Sequence, residues 1–167
     1  MDKLSKLIAK EITLIYGPAG IGKTNLVLWL LSIMSVRDTE KNFLYISTEG
    51  SLYSAIVSKF EYPNNVYFAE ALNSNHLLQL ILKAYTDLSN RLKLLIIDSI
   101  NNFYRVDVLH DPNANRVLNT ILALIAHMVY EHELTCILTA QVREASNEEL
   151  NVSGLAILKF WSDNIIR

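Results

Sequence analysis

The sequence predicts an α/β domain with a mostly parallel central sheet flanked by helices. Three observations lead there. Short apolar runs alternate with longer amphipathic ones along the chain, the pattern of parallel strands joined by crossover helices. Residues 94–98 form an apolar run with a charge only at the last position, as a strand covered on both faces requires. Hydrophobic residues make up 51% of the chain and charged residues 19%, with a mean hydropathy of +0.22, the balance of a globular chain with many buried Val, Ile and Leu.

The 167 residues suffice for one domain with a real core, and residues 1–167 are read as one. The formal net charge is -2, so no global basic field draws in nucleic acid or an anionic membrane. Cys136 is the only cysteine. It cannot form an internal disulfide and reads as a small core residue. The opening residues are charged and lack a long apolar stretch, unlike a secretory leader. The run at 26–34 is far short of a membrane span. The expectation is a cytoplasmic protein with no membrane partner. The four histidines are scattered and have no zinc-like spacing.

Taken in order, the elements begin with a strand at 12–16, a glycine-containing loop at 17–22 and a helix at 23–34. A second strand follows at 43–47, then a short helix capped by Ser51 and reaching about residue 60. Pro63 and its neighbouring asparagines make a turn, and 66–68 a short strand. Ser74 is the expected cap of a helix whose stripe is Leu77, Leu78, Ile81, Ala84, Tyr85 and Leu88, spaced by three and four residues. After the strand at 94–98 comes a long connection, 99–114. Asp111 and Pro112 are expected to cap and start the next helix. That helix runs to His132 with Val117, Leu118, Ile121, Leu122, Ile125, Met128 and Val129 inward. A strand at 135–140, a helix at 153–161 and a strand start at 165–167 complete the chain. Ending on a strand start reads as a core cut short, minimal, or completed by another subunit.

The decisive segment is Gly17, Pro18, Ala19, Gly20, Ile21, Gly22, Lys23 and Thr24. It satisfies G-x-x-x-x-G-K-[ST], between an apolar strand and a helix-compatible run. Glycines allow backbone angles closed to other residues and leave room for an anion. Successive N–H groups converge on that anion, and the helix N-terminus adds donors. Lys23 is placed to reach the β and γ phosphates and Thr24 to give its hydroxyl to magnesium, with Asn25 next on the helix. The plainer reading, an ordinary glycine turn, does not account for the strand before and the helix after.

Three further strand ends carry polar groups. Asp98 closes the 94–98 run, where a carboxylate can face the metal. Glu49, after the 43–47 strand, is a candidate to orient or deprotonate water. It reads as well as a turn acid before Ser51, and Glu70 rivals it after 66–68. Gln141 follows the 135–140 strand, where its amide can meet a γ-phosphate or simply be satisfied by backbone. Tyr104, Arg105 and Arg143 lie near the same strand tips, as nucleic-acid contacts or as a solvated rim.

These pieces, ITLIYGPAGIGKT at 12–24, FLYISTEG at 43–50, LLIIDSINNFYR at 94–105 and LTAQVR at 138–143, resemble the RecA-like recombinase ATPases, and within them the archaeal RadA and RadB branch. The resemblance runs from about residue 10 to the end. It implies a P-loop NTPase core using ATP and Mg2+. Lys23 and Thr24 stand as the Walker A pair, Asp98 as the Walker B carboxylate and Glu49, ahead of Glu70, as the water-activating residue. Gln141 stands as the group coupling γ-phosphate to a second DNA-binding loop, and Tyr104 and Arg105 fall near a first.

The implied partners are single- or double-stranded DNA and a recombinase or other RecA-like subunit, in an oligomer. Three departures count against strand exchange by this chain, the first being a sheet that ends before the family's last strands. Nothing precedes residue 17 with room for the family's N-terminal DNA-binding domain and linker. The segment 142–152 is short and acidic, with Glu144, Glu148 and Glu149, and should repel a DNA backbone. The expected function is therefore a recombinase paralog that modulates recombination or repair. The alternatives are a nucleotide-switched protein-binding module and a KaiC-like signalling ATPase with no DNA role.

Overall fold

The computed structural model describes residues 7, 9–50, 57–88, 90–142 and 154–167. Among the described residues six strands form one sheet: β1 (Ile12–Gly17), β2 (Asn42–Ser47), β3 (Val66–Glu70), β4 (Leu92–Asp98), β5 (Thr135–Gln141) and β6 (Asn164–Ile166). Their spatial order is β3-β2-β4-β5-β1-β6, and every pairing is parallel. Five helices are described: α1 (Lys23–Arg37), α2 (Ser74–Leu88), α3 (Tyr104–Asp107), α4 (Ala114–His132) and α5 (Leu155–Trp161). A 3-10 turn spans Val57–Lys59.

Strand alternation divides the core into two layers. Leu95 and Ile97 of β4, with Cys136 and Leu138 of β5, face one side and pack beneath α2, α4 and α5. Leu94 and Ile96, with Ile137 and Tyr45, face the other and pack against Val27, Leu28, Leu30 and Leu31 of α1. Both faces are covered, so the central strands are nearly continuous apolar runs, as the sequence pattern required. The helical stripes also agree with their spacing. Leu77, Ile81 and Ala84 of α2 and Leu118, Ile121, Leu122, Ile125, Met128 and Val129 of α4 are buried.

The starts of two helices differ from expectation. Ser74 does not cap α2. Asn73 does so, its Oδ1 accepting from the His76 N–H at 2.8 Å, while the Ser74 hydroxyl donates to Asp107 Oδ2. Helix α4 begins at Ala114 and not at Pro112. Asp111 Oδ1 instead accepts from the Asn113 N–H at 2.8 Å, closing a side-chain turn that competes with helical pairing. The long connection after β4 is also partly ordered as α3. The Ser51 cap and Ser153, the expected first residue of the 153–161 helix, lie outside the described residues; the described helix begins at Leu155.

Parallel register brings the carboxyl ends of the strands to one edge. Gly17 aligns with Gln141, Ser47 with Asp98 and Ser47 with Glu70. In a sheet of this kind ligands bind in the crevice beyond those ends.

Gly154 locks α5 onto this framework. Its φ is +82°, and an added Cβ would sit 2.8 Å from Tyr104 Cε1 and 3.2 Å from Leu118 Cδ2. Gly154→Ala meets a hard clash as well as an unfavourable backbone angle, so it should destabilise the fold by about 1–3 kcal/mol. Equilibrium urea denaturation measures the difference.

Candidate functional site

At that edge the loop between β1 and α1 turns back over the sheet. Gly20 and Gly22 hold φ values of +81° and +91°, and nothing lies within 4 Å of where their Cβ atoms would be. At Gly17 a Cβ would meet Ile21 Cδ1 at 2.4 Å, a contact that the exposed end of the Ile21 side chain can relieve by moving aside. Ala19 and Ile21 face solvent on the outside of the loop. Helix α1 follows directly, with Leu26 N–H bonded to Gly22 O at 2.9 Å.

The first residue of α1, Lys23, is buried despite its charge. Its ammonium donates to Gly17 O at 3.0 Å and to Pro18 O at 2.8 Å. Burial lowers its pKa, and the carboxylates of Asp98 and Glu49 pull it back up. A buried cation needs such compensation.

Asp98 ends β4 on the face that carries α1 and is itself buried. Tyr45 OH donates to its Oδ2 at 2.7 Å, and the Thr139 hydroxyl donates to Oδ1. Neighbouring strands thus supply one donor to each carboxylate oxygen. Desolvation and the adjacent Asp98 charge push the Tyr45 phenol far up, which keeps it a donor.

Beyond β2, Glu49 Oε1 accepts from Ser99 Oγ at 2.9 Å and from Gln141 Nε2 at 2.5 Å. Gln141 is held twice by Asn101: its N–H donates to Asn101 Oδ1 at 3.1 Å, and its carbonyl accepts from Asn101 Nδ2 at 3.0 Å. Thr48, next to Glu49, is tied to β4 in the same way. Its hydroxyl donates to Ser99 O at 2.7 Å and accepts from Ser99 N–H at 3.1 Å.

Gly20, Gly22, Lys23, Thr24, Asn25, Glu49, Asp98 and Gln141 line one cleft of about 230 Å³. Eight of the positions singled out from sequence, from four separate segments, therefore meet at one place. Gly17 and Pro18 lie behind Lys23 as its acceptors. Glu70 is not among the lining residues; its Oε1 lies beside Gly50 instead. Tyr104 is a correction to the sequence reading. It is buried, its hydroxyl donates to Asn115 Oδ1 at 2.6 Å, and its ring packs on Gly154. It offers no face to a base and is not a solvated rim, because the short α3 helix turns the ring inward. Arg105 bonds Gln141 Oε1 at 3.3 Å. Arg143 and the acidic residues 144, 148 and 149 lie outside the described residues.

Tyr45, Thr139, Ser99 and Asn101 belong to the site without matching any sequence motif. A signal existed for two of them: strand alternation puts Tyr45 and Thr139 on the same face as Asp98, and each interrupts an apolar strand with a hydroxyl. Ser99 and Asn101 lie in a loop, where no periodicity guides the eye.

An all-parallel sheet with a glycine loop running from its first strand into a helix, and a buried carboxylate two strands away, defines a RecA-type α/β core. The chain belongs to the Rad51 family, whose model matches residues 4–156. Among characterised relatives it is similar to the DNA repair and recombination protein RadB of Methanocaldococcus jannaschii, with 31% identity over 93% of this chain and 76% of the relative. RadB of Methanococcus maripaludis shares 29% identity over 95% and 76%, and RadB of Halobacterium salinarum 25% over 93% and 71%. Among the described residues, no helix is long and apolar enough to cross a membrane.

The Tyr45–Asp98 bond should contribute to stability, because its loss strips a donor from a buried carboxylate. Tyr45→Phe should lower unfolding free energy by about 1.5–3 kcal/mol, the range for hydrogen bonds to charged groups. Thermal and urea unfolding at neutral pH would check this.

Proposed function

We propose that the cleft binds the polyphosphate of ATP with magnesium and hydrolyses the terminal phosphoanhydride, and that this activity serves DNA recombination or repair. The observation that carries the reading is the meeting of Lys23, Thr24, Asp98 and Glu49 in one cleft. The second part rests on the Rad51 family match and on relatives that are named DNA repair and recombination proteins.

The residues present fit such a ligand. Space is open beside the positive-φ glycines Gly20 and Gly22, where N–H groups of a loop and helix start can face an anion. Among the described residues the Lys23 ammonium donates to two neutral carbonyls, acceptors that phosphate oxygens can replace with stronger, charge-assisted ones. A cleft of about 230 Å³ is smaller than the roughly 300–1,000 Å³ of whole small-molecule sites. It suits the phosphate chain, with base and ribose outside it.

Thr24 and Asp98 are the residues that would hold magnesium, an oxygen-ligand cation that keeps much of its water. When bound, the ion neutralises charge on the phosphates and stabilises the transferring group. Tyr45 and Thr139 keep the Asp98 carboxylate oriented. Lys23 adds a fixed positive charge where negative charge develops. Glu49, with one oxygen taken by Ser99 and Gln141, has Oε2 to orient water and accept its proton. Gln141 touches Glu49 and lines the cleft, so it links its occupancy to the segment after β5. DNA and another RecA-like subunit are the partners this reading assigns.

Lys23→Ala should weaken Mg-ATP binding at least a hundredfold, as a buried charge partner for the phosphates is lost. Glu49→Gln should leave affinity within about threefold while turnover falls by about 10²–10⁴, the usual range for a general base. Calorimetric titration and a phosphate-release assay separate the two. Normal turnover in Glu49→Gln would remove Glu49 from its role.

A further inference from the structure

The segment that follows β4, from Ile100 into α3, is fastened to the tip of β5 at three levels. Ile100 N–H bonds Thr139 O at 2.9 Å. Asn101 makes the reciprocal pair with the Gln141 main chain. Arg105 then reaches the Gln141 side chain, donating from Nη1 to Oε1 at 3.3 Å. The first two bonds fix where Gln141 sits. The third fixes which way its amide points.

The polarity of this last contact is set by chemistry. A guanidinium only donates, and a carboxylate only accepts. The amide between them must therefore turn its oxygen to Arg105 and its NH2 to Glu49. The distances agree: 3.3 Å on the Arg105 side and 2.5 Å on the Glu49 side. The flipped amide would set two donors together and two acceptors together. Gln141 thus forms a dipolar bridge from a cation to a carboxylate, and each bond of such a chain polarises the next.

Without Arg105, the Gln141 oxygen loses its charged partner and the amide can rotate. Ser99 Oγ alone would then hold Glu49. We infer that Arg105 is a positioning residue that acts through the Gln141 amide to hold the Glu49 carboxylate in the cleft. This rests on the proposed hydrolytic role of Glu49. Arg105 is not in the cleft lining, so its influence passes through Gln141.

Two readouts test it, one of which needs no nucleotide. In uniformly ¹⁵N-labelled, nucleotide-free protein, the Gln141 side-chain NH2 signals are assigned by their loss in Gln141→Ala. Arg105→Ala should move them upfield, toward free glutamine. Arg105→Lys, which keeps the charge on a different donor, should restore part of the shift and guards against a folding defect in the alanine variant. Unmoved signals in both variants overturn the link.

In the hydrolysis assay, Arg105→Ala should lower kcat by about tenfold to a hundredfold, the scale of a small misplacement of a reacting group, with ATP affinity within about twofold. The same substitution in a Gln141→Ala background should add less than about twofold, since coupled residues are not additive. Equal effects in both backgrounds, or a loss confined to KM, overturn the positioning role. A wild-type protein with no turnover would count against the hydrolase reading, while the amide signals would still decide the Arg105 contact.

Discussion

One buried ammonium organises the site. Lys23 sits at the head of α1, inside the protein, bonded to two carbonyls of the loop that precedes it. Taking a charge out of water is costly unless fixed dipoles or opposite charges replace the solvent. Here the carbonyls supply the dipoles, and Asp98 and Glu49 supply the opposite charge. The loop must curl to offer Gly17 O and Pro18 O together, and positive φ at Gly20 and Gly22 permits the curl. The charge, the loop and the glycines are therefore one device.

The carboxylates that balance Lys23 come from different strands, so the sheet register decides whether they meet. Ser47 pairs with Asp98 across β2 and β4, and Gly17 with Gln141 across β1 and β5. Period-two alternation then puts Tyr45, Asp98, Thr139 and Gln141 on the α1 face. A slip of one residue in β4 would turn Asp98 toward α4 and leave Lys23 without it. The apolar fill of both faces opposes such a slip, because Leu94 and Ile96 on one side, and Leu95 and Ile97 on the other, would exchange layers. Core packing and site geometry are thus specified by the same alternation.

Much of this was legible in the residues, for physical reasons that can be named. Strands β1, β4 and β5 stood out because burial on both faces demands unbroken apolar runs. The loop at 17–24 stood out because its glycines, lysine and threonine fall between a strand and a helix. Helix α4 was found by its stripe, yet its start was misplaced, since Asp111 closes a local turn where it was expected to cap. Asn73 was overlooked as the cap of α2 for a similar reason: several neighbouring residues were competent, and the surrounding packing chose among them. The inward turn of Tyr104 depends on Gly154 and Leu118, far along the chain. Contacts of that range leave no periodic trace. The network joining Ser99, Asn101 and Arg105 to Glu49 and Gln141 likewise runs through loop residues, a short helix and a strand tip, where sequence spacing says little about distance.

The Rad51 family match covers residues 4–156, a span that contains every residue lining the cleft. The most direct test is a crystal structure with magnesium and a non-hydrolysable ATP analogue. The account predicts that Lys23 Nζ leaves the carbonyls of Gly17 and Pro18 and bonds phosphate oxygens, with Thr24 and Asp98 facing the metal. An analogue bound elsewhere, with Lys23 still on those two carbonyls, would contradict it.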